Sequence, residues 1–141
     1  MKAKALYTAL VIGVLSLAAA AVACEEGQSQ QELEAEACED LTNLQDSLAG
    51  LEASLRGDST VGEVRDAAEN ADAAFDEAQS SVGEVAETRI ADVESAMDSL
   101  RNTIEDLPDD ATLSQAADAI ESDLAMVTDA VNETSDQLAC P

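Results

Sequence analysis

The chain has 141 residues, 31 of them acidic and six basic, with no histidine and a formal net charge of −25. That balance argues against nucleic acid as a partner, because phosphate binding needs a basic face. The missing histidine excludes a Ser-His or Cys-His nucleophile.

Residues 1–23 read as an export signal peptide. Met1-Lys2-Ala3-Lys4 is a short basic start, residues 6–22 form an uncharged apolar run, and Ala21-Val22-Ala23 are small residues just before Cys24. The run falls a little short of the roughly 20 apolar residues of a membrane span. Ala21-x-Ala23 also fits ordinary signal-peptidase cleavage, so free secretion is the alternative. Ala21-Val22-Ala23-Cys24 resembles the lipobox of bacterial lipoproteins, in which the peptidase cuts before a cysteine that carries diacylglycerol. That family prefers leucine where this chain has Ala21. The resemblance covers the leader and Cys24 alone. It implies lipidation of Cys24 and a membrane-anchored protein facing outside the cytoplasm.

The cysteine count is three: Cys24, Cys38 and Cys140. An odd number in an exported protein leaves one thiol without an intramolecular partner. With Cys24 lipidated, Cys38 and Cys140 are free to form a disulfide in an oxidising compartment. Their spacing does not suggest a zinc site.

Beyond the leader the chain keeps all 31 acids but only Arg56, Arg65, Arg89 and Arg101, a net charge of −27. Self-repulsion on this scale favours solubility and costs stability, and it would repel anionic membrane surfaces. Membrane attachment would therefore come through the lipid. Residues 24–36 are polar and rich in Gln and Glu, with Leu33 the one large apolar residue. They are expected to act as a flexible acidic tether to a helical bundle domain over 37–141.

From Cys38 the pattern is helical. Leu41, Leu44, Leu48, Leu51 and Leu55 recur at steps of three and four, which places them on one stripe. Gly57 is expected to end that helix in the left-handed conformation. Thr60-Val61-Gly62-Glu63 reads as a capping box that opens a second helix, with Val61, Val64, Ala68, Ala71, Phe75 and Ala78 inward. Ser81-Val82-Gly83-Glu84 repeats the capping signature without a turn before it, so the chain either bends there or runs on as one long helix. Ile90, Val93, Met97, Leu100, Ile104 and Leu107 make the next stripe, which Leu107-Pro108-Asp109-Asp110 ends. A third box, Thr112-Leu113-Ser114-Gln115, opens a stripe of Leu113, Ala117, Ile120, Leu124, Val127, Val131 and Leu138.

An internal duplication is discernible. The segment from Asp58 aligns with that from Asp110, and Leu48 and Leu55 then match Leu100 and Leu107. The fold class expected is all-α: an antiparallel helical bundle or coiled-coil-like hairpins of three to four helices. In a compact four-helix bundle Cys38 and Cys140 lie at one end. A form with residues 60–107 as one long helix, its flanking helices folded back, brings them together as well. The compact form hides more apolar surface and is the one favoured here.

No catalytic, cofactor-binding or metal-ligating constellation is discernible. Glu105, Asp106, Asp109 and Asp110 cluster at one turn but lack the ligand spacing of a calcium loop. Arg56-Gly57-Asp58 spells an adhesion tripeptide that a helix stop explains, and Asn132-Glu133-Thr134 is a sequon set inside a helix stripe. Phe75, Met97 and Met126 are expected in the core. Heptad-like helices behind such a leader resemble, in style, the murein lipoprotein of bacterial envelopes. That family attaches to the wall through a lysine, and no lysine follows Cys24 here. The functional expectation is a lipid-anchored or secreted envelope module, not an enzyme, acting as spacer, scaffold or protein-interaction domain with an envelope protein as partner. The alternative is an acidic surface that sequesters cations or cationic peptides.

Overall fold

The computed structural model describes residues 29–86 and 90–141. Four helices account for most of them: α1 (Gln30–Arg56), α2 (Val61–Ala86), α3 (Ala91–Glu105) and α4 (Leu113–Gln137). Among the described residues there are no strands, and no helix is long and apolar enough to cross a membrane.

Cross-helix contacts define the topology. Gln45 on α1 donates to Asn132 on α4 at 3.0 Å. Arg65, near the start of α2, donates to the Leu107 carbonyl just past the end of α3 at 2.9 Å. Arg101, late in α3, reaches Asp72 in α2 at 2.7 Å. Arg65 and Asp72, in the first half of α2, thus meet residues late in α3 or just past it, so these two helices run antiparallel. Together with the packing of α1 on α2 and of α3 on α4, this makes an up-down-up-down four-helix bundle. The α1–α2 and α3–α4 seams are the most extensive and the α2–α3 seam the least. Because α3 folds back along α2, residues 60–107 are not one long helix, and the chain takes the compact alternative.

The leucine stripe of α1 is buried throughout, as are Val64, Ala71, Phe75, Ala78 and Val82 on α2. Large leucines facing small alanines let these two helices approach closely. The stripe from Ile90 to Leu107 is buried too, and Ile120, Leu124, Val127 and Val131 complete one continuous core. At about 25 cal/mol per Å² of apolar surface, this burial is the main force holding the bundle together.

Several local expectations need correction. The first helix begins at Gln30, inside the stretch expected as a tether over 24–36. A Ser29–Glu32 capping box satisfies its first free amides, and the Gln, Glu and Ala that follow are strong helix formers. Gly57 ends α1 but is extended, with φ −93° and ψ −162°. The chain leaves the helix straight toward the next cap at Thr60, so no left-handed residue is needed. That conformation appears instead at Ala139, with φ 55°. There the Cys140 amide bonds the Ser135 carbonyl and the Ala139 amide bonds that of Asp136, a Schellman close that turns Cys140 inward. Ser81 does not cap a helix: α2 runs through it, and its hydroxyl bonds the Glu77 carbonyl one turn back. Ala116 is buried where Ala117 was expected, with Leu113, Ala117 and Leu138 only partly covered. Met126 is 47% exposed, because it lies beside Val127 and is rotated about 100° off the core stripe.

Candidate functional site

The two ends of the bundle differ in chemistry. At one end, Cys38 in α1 and Cys140 just past α4 form a disulfide, with Cα atoms 5.4 Å apart. The start of α1 is also at this end, about two turns before Cys38. Cys24, the expected lipidation residue, lies outside the described residues.

The opposite end carries both hairpin turns. Arg56-Gly57-Asp58 is exposed between α1 and α2, with Arg56 paired to Glu52 one turn back. Glu105 ends α3, and Asp106, Asp109 and Asp110 follow it in the turn to α4. Asp109 meets Arg65 at 3.2 Å, which ties the two turns together. Among the described residues no group of three potential metal ligands is gathered at one point. Asn132 of the sequon is held by Gln45, and Thr134 is buried and bonded to the Ala130 carbonyl.

Of the three described arginines, Arg101 makes the most ion pairs. It donates to Asp72 at 2.7 Å and to Asp98 at 3.0 Å, and lies 5.5 Å over the Phe75 ring. Burial works against its charge, but Asp72 and Asp98 outweigh that and hold its pKa above the ordinary arginine value. The same side chain closes a cleft of about 300 Å³ between α2 and α3 whose floor is Met97, Leu100 and Ile104. Its ion pairs leave no cation there for a ligand to claim.

A second cleft, of about 350 Å³, lies between α1 and α4. Leu55, Ala117, Leu124 and Ala125 supply its apolar walls, Glu121 and Asp129 an acidic edge on α4, and the Arg56–Glu52 ion pair its edge on α1. On α4 the alanines and the acids each recur at intervals within one face, which places both kinds along the groove. Among the described residues, Glu121 and Asp129 form no ion pair.

One buried polar cluster escaped the sequence reading. Asp123, 9% exposed, accepts hydrogen bonds from Ser99 at 3.1 Å and from Thr103. Under the internal alignment its counterpart is the buried Ala71, and that of Thr103 is Leu51. A carboxylate standing where the first hairpin has alanine was the available signal. Comparison with protein-family models, characterised proteins and solved structures finds no match to this chain.

Proposed function

We propose that this protein is a lipid-anchored module of a bacterial cell envelope that holds a helical interaction surface away from the membrane. The observation that carries the reading is the cysteine arithmetic. Cys38 and Cys140 are bonded to each other, which leaves Cys24, directly after Ala21-Val22-Ala23, as the one thiol for lipid. The geometry is in keeping with a spacer. At 1.5 Å per residue, the 27 residues of α1 span about 40 Å, from a start two turns before Cys38 to the turn at Gly57. With a net charge of −27 after Cys24, the bundle is repelled by anionic headgroups. A tether at one end then leaves the other end facing outward.

Mass spectrometry of protein isolated from its host's membranes tests the anchor. The expected amino-terminal peptide begins at Cys24 and carries diacylglycerol on sulfur. An unlipidated Cys24, or a disulfide from it to Cys38 or Cys140, would overturn the reading in favour of a secreted protein. Recovery of a stoichiometric envelope protein after cross-linking would support the interaction role.

The acidity supports a second reading, capture of cations or cationic peptides. The three described arginines make all five ion pairs found among the described residues, so most of the carboxylates face water uncompensated. Binding of this kind would be diffuse and abolished by modest salt.

A further inference from the structure

We infer that the α1–α4 cleft is a docking groove for a short cationic, aliphatic peptide segment, of the kind in which lysine or arginine alternates with leucine or valine. The inference rests on the interaction-module reading and names the surface and partner chemistry for it.

Three observations converge on this groove. Its volume of about 350 Å³ is at the lower end of the roughly 300–1,000 Å³ typical of ligand pockets, enough for a few side chains and too little for a folded domain. Its walls are methyl groups from Leu55, Leu124, Ala117 and Ala125, which offer an aliphatic side chain an escape from water. Its α4 edge carries Glu121 and Asp129, two turns apart and without ion pairs among the described residues. The α2–α3 cleft is similar in size and as apolar at its floor, but Arg65 and Arg101 already occupy its edges. In the α1–α4 groove Arg56 also stands at the α1 edge, paired with Glu52, so the uncompensated charge is that of Glu121 and Asp129 on α4. The α1–α2 groove carries Asp46 and Glu77 without ion pairs among the described residues, but its apolar walls are alanines alone, with no leucine.

Position adds to the case. The groove spans the last turn of α1 and residues 117–129 of α4, so it lies nearer the end opposite Cys38–Cys140. A peptide reaching a protein anchored through Cys24 would meet this end first. Residues two turns apart on one helix face are about 11–12 Å from each other. An extended chain covers that distance in about four residues, and its side chains alternate between two sides. Basic residues at positions i and i+4 can therefore reach both acids on α4, while the aliphatic residues between them turn across the groove toward Leu55.

The test is fluorescence polarisation with two labelled peptides of equal charge, Lys-Leu-Lys-Leu-Lys-amide and Lys-Ser-Lys-Ser-Lys-amide. Each is titrated with the folded protein at low and at physiological salt. The leucine peptide should bind at least several-fold more tightly and retain binding at physiological salt. Glu121→Gln with Asp129→Asn should weaken it about fivefold. An equal charge change elsewhere, Asp92→Asn with Glu94→Gln, should leave it nearly unchanged. Equal binding of both peptides, or equal loss from both double variants, would overturn the groove in favour of diffuse acidic capture. Binding of neither peptide would overturn the groove as well, while the anchoring of Cys24 is decided separately by its mass.

Discussion

Asp123 shows how one side chain can set the character of a seam. A carboxylate that is 9% exposed is costly unless its oxygens are satisfied, and Ser99 and Thr103 from the facing helix do this. In the first hairpin the matching positions, Leu51 and Ala71, are apolar and buried. Removing one partner of such a group leaves its desolvation uncompensated, whereas replacing both with apolar residues need not. Thr103→Val alone should thus cost about 1–2 kcal/mol. Thr103→Leu combined with Asp123→Ala, which copies the first hairpin, should return stability to near the wild-type value. Urea midpoints of the single and double variants measure the coupling, and strictly additive losses would show that the two hairpins are not interchangeable at this layer.

At the scale of the element, the helix starts are the most locally determined features. Ser29–Glu32, Thr60–Glu63 and Thr112–Gln115 form the same reciprocal pair of bonds. Two use a carboxylate. Hydrogen bonds from the Thr60 backbone and hydroxyl to Glu63 hold its pKa below the ordinary glutamate value, and Ser29 does the same to Glu32. A carboxylate depressed in the folded state contributes stability above its unfolded pKa and loses it as pH falls through the folded value. The Thr60 amide resonance should therefore titrate with a midpoint below the usual glutamate range, and Glu63→Gln should abolish that step while preserving the cap. The Thr112 amide, bonded to Gln115, serves as the internal control and should show no such step. A Thr60 resonance indifferent to acid would mean that the α2 box is not formed in solution.

For the whole molecule, two opposing global terms decide stability. A net charge of −27 after Cys24 pushes the helices apart, and the Cys38–Cys140 bridge, 102 residues apart in sequence, limits how far the unfolded chain can expand. Closing a loop of about 100 residues is worth roughly 4–5 kcal/mol in the chain-entropy account, a large share of the ~5–15 kcal/mol typical of a domain. Cys38→Ser with Cys140→Ser should lower the melting temperature sharply, and reduction of the wild type should reproduce the effect. Added NaCl should raise the melting temperature of both forms, with millimolar Mg²⁺ raising it further, because screening relieves repulsion among unpaired acids. A melting temperature flat from low to high salt would show that the carboxylates are too far apart to matter.

What was legible in the sequence was what neighbouring residues settle among themselves. The leucine spacing from Leu41 to Leu55 dictated a buried stripe, because side chains three and four apart share a helix face. Thr60 with Glu63, and Thr112 with Gln115, marked helix starts, because a cap is satisfied within one turn. Local signals misled where a competing bond lay close by. Ser81 had a carbonyl one turn back to bond and so did not cap, and Gly57 had no need of the left-handed conformation that Ala139 adopts. Only the tertiary structure decided that α3 folds back along α2, and it did so through Arg65 and Arg101 reaching across to residues some 30–40 positions away. It alone brought Leu55 and Glu52 beside Glu121 and Asp129. A groove between two helices belongs to neither of them, and its shape and charge exist only once the bundle has closed.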